Sequence, residues 1–162
     1  MRASLSLNKV EVGPVPGGRG LFTRRSVRAD ATVLVLEGTI RDAPDRFSVQ
    51  VDVGRHLHPL PDELARGEAA DVPWWFLNHS CEPSVRIVGT RVVALRDLAV
   101  GDHLTFDYDA TEWSIASPFR CGCGRCDGRI VRGYAHLDAE ERARRSATVA
   151  PHLLRLAGHG HA

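Results

Sequence analysis

The stretch FRCGCGRCDG, residues 119–128, holds Cys121, Cys123 and Cys126. Thiolates one and two residues apart reach a common centre from a turn, and Gly122 and Gly124 relax the backbone that such a turn needs. The chemistry on offer is soft-metal coordination, with tetrahedral zinc the first candidate. The other reading is a set of buried or redox-active thiols, for which this arginine- and glycine-rich segment provides little apolar cover. A tetrahedral ion wants four ligands and the chain has four cysteines. The open position therefore falls to Cys81, in FLNHSCEPS.

Two further groups deserve weighing as chemistry. Asn78-His79 precedes Cys81, and Tyr108 closes GDHLTFDY, residues 101–108. Taken alone, an Asn-His pair is a turn with a satisfied histidine, and a tyrosine in such a place ends an edge strand. Gly18-Arg19-Gly20 alone is an ordinary glycine turn.

The elements that must position these residues are short strands. Residues 5–12 partly alternate, and TVLVLEG (32–38) is an apolar run ending at a turn glycine. RFSVQVDV (46–53) alternates, so Phe47, Val49, Val51 and Val53 are expected to share one face. SVRIVG (84–89) and RVVALRDL (91–98) flank Gly89-Thr90 and read as a hairpin, and DHLTFDY follows a turn at Gly101. Close spacing with glycine and proline punctuation predicts a mainly β body made of several small sheets. Helix signals are sparse: PDELARGE (61–68) suits one or two turns, Asp138 can cap AEERARRSA, and APHLLRLAG is expected to stop at Gly158.

The 162 residues suit one compact domain, or one domain with a short tail, and 43% hydrophobic residues supply a core. A net charge of +1, from 21 basic and 20 acidic residues, disfavours a partner bound through bulk charge such as nucleic acid. No run suits a signal peptide or a membrane span, so an intracellular protein without membrane contact is the expectation. Oligomeric state cannot be read from the sequence.

Four pieces in order resemble the SET-domain protein lysine methyltransferases: GGRGLFTRRSV (17–27), NHSC (78–81), GDHLTFDY and CGCGRC. The resemblance covers residues 5 to 130. It implies a β-clip (SET) fold whose C-terminal part threads beneath a loop as a pseudoknot. It also implies a SET domain over 1–116, a post-SET zinc segment over 117–133 and a helical tail over 134–162. S-adenosylmethionine is the implied methyl donor, a lysine in a protein the acceptor, and one structural zinc the metal, on Cys81, Cys121, Cys123 and Cys126. Tyr108 is placed as the catalytic tyrosine. Gly18, Arg19, Gly20, Asn78, His79 (largely through its backbone), Tyr108 and Phe119 are placed at the cofactor. Phe106 and Phe47 are placed in the substrate channel, with phenylalanine at 106 implying room for di- or trimethylation.

The chain departs from the family pattern in places. Two residues separate Cys123 from Cys126 where four are frequent, Trp75 stands where an arginine is usual, and His103 replaces a common glutamate. Two other readings compete with the enzyme: a catalytically inactive zinc-stabilised interaction module, and a zinc-dependent nucleic-acid binder using Arg120, Arg125, Arg129 and Arg132.

Overall fold

The computed structural model describes residues 7–60 and 72–159. The helical turns expected over 61–68 lie outside the described residues. Among the described residues, strands and 3-10 turns dominate, with two short helices at the C-terminal end.

The first sheet carries most of the site. Its strands are β1 (Val10–Val15), β2 (Gly18–Thr23), β10 (His103–Phe106) and β7 (Asn78–His79), in the order β1-β2-β10-β7. β1 and β2 form an antiparallel hairpin turning at Gly17, whose φ of 81° suits glycine. β10 then pairs antiparallel with β2, setting Leu104 opposite Leu21, and both side chains are fully buried. β7 runs parallel to β10, with Thr105 opposite Asn78 and Phe106 opposite His79. A parallel pair cannot be closed by a tight turn, so the chain makes a long excursion between the two strands. That excursion builds part of a second sheet.

The second sheet holds β3 (Thr32–Val35), β9 (Arg91–Ala94) and β8 (Val85–Val88), in the order β3-β9-β8. The expected hairpin is present, and Gly89 turns it with φ 60°. A third sheet, β4-β6-β5, is formed by β4 (Thr39–Arg41), β6 (Arg55–His58) and β5 (Val49–Asp52). A two-stranded ribbon of β11 (Phe119–Arg120) and β12 (Ile130–Val131) brackets the cysteine loop. Among the described residues, eighteen buried hydrophobic residues drawn mainly from the first three sheets and the turn at 73–76 with its flanks make one core.

The expected strand over 46–53 is shorter than its pattern. Val49 and Val51 are buried, but Phe47 and Val53 are 47% and 44% exposed and lie outside β5. The Asp45 carboxylate accepts from the Phe47 amide at 2.7 Å, and this local turn takes Phe47 out of the strand. Gln50, which alternates with Val49 and Val51, is also buried, at 2% exposed.

The helices are α1 (Ala139–Arg144) and α2 (Pro151–His159). Asp138 caps α1 as expected, accepting from the Glu141 amide at 2.8 Å. Gly158 does not end α2, which runs one residue further. The chain around the helices builds a second cluster from Tyr134, Val149, Ala150 and Leu153, with Trp113 packed against it. Among the described residues no helix is long and apolar enough to cross a membrane.

Candidate functional site

All four cysteines converge. Their sulfurs lie within 4.8 Å of one another, and Cys81 Sγ stands 3.8 Å from Cys121 Sγ. A tetrahedral ion with metal–sulfur bonds of about 2.3 Å requires sulfurs about 3.8 Å apart, so the donor set fits such an ion. The four are free thiols rather than disulfides. Burial pushes the Cys81 thiol up and Cys121 to about 11, so four thiolates become compatible here when a cation shares them. The cage is also furnished with donors: the Arg125 amide points at Cys123 Sγ (3.4 Å) and the Cys123 amide at Cys121 Sγ (3.5 Å).

His79 links this cage to the end of β10. Its Nδ1 accepts from the Tyr108 amide at 3.2 Å, which leaves Nε2 as the protonated nitrogen, 3.5 Å from Cys81 Sγ. Burial pulls the imidazole down to about 4, so it is neutral at pH 7. The ring thus holds the Tyr108 backbone on one side and a cage sulfur on the other.

Tyr108 sits where two cavities meet. One, of about 610 Å³, is lined by Gly18, Arg19, Asn78, His79 and His103. The other, of about 480 Å³, is lined by Trp74, Trp75, Leu77, Phe106 and Phe47. Tyr108 and Phe119 belong to the walls of both. The aromatic rings around this wall are close, with Phe106 4.5 Å and Phe119 5.8 Å from Tyr108 between centroids. The Tyr108 hydroxyl donates to the Leu77 carbonyl oxygen at 2.8 Å. Burial first, and the Glu112 charge second, push this phenol above its ordinary range, so it stays protonated.

The glycine-arginine-glycine turn divides its labour. Gly18 and Arg19 face the larger cavity, and a Cβ on Gly18 would meet nothing within 4 Å. Gly20 is needed for packing instead, since a Cβ there would stand 2.5 Å from His103 Nε2 and 2.8 Å from Val15 Cγ1. Asn78 donates its amide to the Arg19 carbonyl oxygen at 3.0 Å, fixing the turn against β7. Trp75, where an arginine was expected, faces the Phe106 cavity and lies 5.2 Å from Phe47. Trp74 is buried in the core beside it, so the Trp-Trp-Phe run packs rather than forming an exposed cage.

Residues that sequence reasoning missed hold the turn after Tyr108. Asp109 is fully buried and takes the Arg132 and Gly133 amides at 3.0 and 2.6 Å, together with the Arg129 guanidinium. Asp107 accepts from Arg145 Nε at 2.7 Å. Arg145 and Arg129 both reach Glu141 on α1, so the C-terminal helices are tied to the segment carrying Tyr108. Glu112, one turn beyond Tyr108, reaches the smaller cavity. The only sequence signal for these was the density of acids in DYDATE.

The SET domain family model matches residues 18–109, more than half of the chain. This chain belongs to the SET domain family. It is 31% identical over 127 residues to the "Histone-lysine N-methyltransferase trithorax" of Drosophila virilis, covering 67% of this chain and 3% of that protein. It is 41% identical over 70 residues to "Methyltransferase flvH" of Aspergillus flavus, covering 40% of this chain and 39% of that one. It is 28% identical over 127 residues to "Histone-lysine N-methyltransferase, H3 lysine-9 specific dim-5" of Neurospora crassa, covering 64% of this chain and 38% of that protein. The matched regions thus span well under half the length of each of these relatives. Both cavities are built mainly from the SET domain, and the cysteine loop that completes the thiol cluster follows it in sequence.

Proposed function

We propose that this SET domain transfers methyl groups from S-adenosylmethionine to the ε-amine of a lysine in a protein substrate, and that its four cysteines hold one structural zinc. The observation that carries the reading is the shared wall: a polar cavity and an aromatic cavity meet at Tyr108 and Phe119. A donor in the first and an acceptor in the second face each other across that wall, and bringing two reactants into line supplies much of the rate. Relatives named as histone-lysine N-methyltransferases support the acceptor class.

S-adenosylmethionine, when bound, supplies a methyl group on a positively charged sulfur. Gly18, Arg19, Asn78 and the His79 backbone would hold it, with Phe119 offering an aromatic face. On the other side, a lysine amine of pKa near 10.4 is almost wholly protonated, and freeing its lone pair costs about 4–5 kcal/mol at pH 7. Trp74, Leu77 and Phe106 make that cavity apolar and disfavour the ammonium. The Tyr108 hydroxyl donates its hydrogen bond to the Leu77 carbonyl oxygen, so its own oxygen is left to accept an N–H of the amine and orient it. A phenol held protonated orients; it does not take the proton. With phenylalanine at 106, no hydroxyl holds water in the space that a second methyl would need, which supports di- or trimethylation.

Four protein sulfurs leave no position for water or substrate, so the zinc would be structural. It would pin segment 117–133, including Phe119, beside the cofactor cavity and leave 134–162 as the helical tail. Calorimetric titration with S-adenosylmethionine, followed by incubation with the radiolabelled compound and a cell lysate, tests the reading. Binding with label transferred to protein lysines is expected; absence of binding would favour the inactive interaction module.

A further inference from the structure

Among the described residues, Glu112 is the one acidic side chain deep in the aromatic cavity, and it has no task in the transfer as proposed. Its amide closes a helical turn on the Tyr108 carbonyl oxygen at 2.8 Å, so the two side chains emerge on one face. It lines the cavity with Phe106, Trp74 and Tyr108, yet is only 7% exposed. Oε1 accepts from the Gln50 amide at 2.8 Å, while Gln50 Oε1 accepts from the Trp113 amide at 2.7 Å, which fixes the carboxyl in place. Oε2 accepts no hydrogen bond among the described residues: His56 Nδ1 stands off at 4.0 Å and is itself without a partner. A carboxyl this buried, with one oxygen unfilled and open to the cavity, favours an arriving donor.

We propose that Glu112 receives the ammonium of the substrate through Oε2 and takes its proton before transfer. The inference rests on the amine-methylation reading and adds to it the group that the mechanism lacks. The proton passes from R–NH3+ to the carboxylate, leaving R–NH2 with its lone pair and a neutral carboxylic acid. It leaves to solvent through the cavity mouth when the product departs. Tyr108 cannot serve, because its hydroxyl is committed to Leu77 and held protonated.

The surroundings suit this role. Burial pushes Glu112 up to about 8, close to the working range of a base near neutral pH. His56 from β6 and His152 from α2 are pulled down, chiefly by burial, so neither competes as a charged partner at pH 7. Asp45, half-exposed at the mouth, is engaged by His58 at 3.0 Å and by the Phe47 amide. Arg46 is exposed over the Phe47 ring, and Asp52 pairs with Arg155 on the outer side of β5.

The test uses n-butylamine, the lysine side chain without its backbone, and n-butanol as the neutral equivalent. In calorimetry at pH 7 in buffers of different ionisation enthalpy, n-butylammonium binding to the wild-type protein should release close to one proton, because Glu112 gives up its own on meeting the cation. Release should vanish at pH 9. Glu112→Gln keeps the acceptor for Gln50 and should weaken n-butylamine at least tenfold while leaving n-butanol binding unchanged and unfolding cooperative. In the methyl-transfer assay, the acid limb of kcat/KM near pH 8 should move toward the amine's own pKa. No proton release at pH 7, or equal n-butylamine affinity in both proteins, would overturn the proposal. Transfer abolished by Tyr108→Phe but untouched in rate and pH profile by Glu112→Gln would leave methylation standing and remove Glu112 from it. Glu112-dependent n-butylamine binding with no transfer to any lysine would do the reverse.

Discussion

The Tyr108 hydroxyl and the Leu77 carbonyl oxygen are joined by a 2.8 Å hydrogen bond, with Tyr108 the donor. The bond aims the remaining lone pairs of the phenol toward an incoming N–H and deprives the oxygen of any role as a base. Tyr108→Phe should therefore leave S-adenosylmethionine binding within about twofold while cutting kcat by roughly 10²-fold or more. Calorimetry and a radiolabel assay on the same preparation separate the two effects.

Phe106 packs 4.5 Å from Tyr108 on the wall of the smaller cavity. Adding a hydroxyl there should hold a water in the space that a second methyl needs. Phe106→Tyr is expected to lower the final methylation state of a modified peptide, read by mass spectrometry after long incubation. Monomethylation alone in the wild type would contradict the room argued for here.

Cys81 comes from the SET domain and closes a cage whose other sulfurs lie 40 residues or more along the chain. Metal analysis should find one zinc per chain, lost in Cys81→Ser as in Cys123→Ser. Zinc binding in comparable small sites is worth on the order of 10 kcal/mol, so chelation should also lower the thermal midpoint markedly. Full zinc in Cys81→Ser would exclude it as a ligand.

Burial raises the Glu112 carboxyl from an ordinary 4.5 to about 8. The folded state thus holds a proton that the unfolded chain releases above 4.5, and stability falls as pH rises from about 4.5 to about 8. Glu112→Gln lacks this titration. Its thermal midpoint should gain on the wild type steadily across that interval and run parallel to it above, as differential scanning calorimetry at stepped pH would show.

Arg145 is buried and reaches Asp107, between Phe106 and Tyr108 in the turn that presents the phenol, at 2.7 Å. Arg145→Ala would leave the Asp107 carboxylate buried without its cation, at a cost of about 3–5 kcal/mol. Denaturant unfolding should register the loss, and S-adenosylmethionine binding should weaken with it. A silent substitution would mean that the C-terminal helices do not support the site.

Local patterns carried much of the fold. The Gly89 hairpin, β10 after the Gly101 turn and the Asp138 cap follow from neighbours in the chain, through side-chain alternation, positive φ and a single capping oxygen. The pattern misled at Phe47, where an Asp45 turn ends the strand early, and it carried no sign that Gln50 is buried with a donor from Trp113. Asp45 lies two residues from Phe47, whereas Trp113 lies 63 residues from Gln50, beyond the reach of any local pattern.

By itself, the sequence determined which residue types were present to do chemistry: four thiols, the Asn78-His79 pair, a tyrosine closing a strand and a glycine-arginine-glycine turn. Tertiary structure alone decided that β7 runs parallel to β10, that His79 bridges Tyr108 and Cys81, and that Glu112 faces the aromatic cavity with one oxygen unfilled. The physical reason is that periodicity and turn chemistry act over a few residues. A parallel pairing, a four-thiol cluster and a buried carboxyl are instead contacts between distant segments, selected by the packing of the whole core.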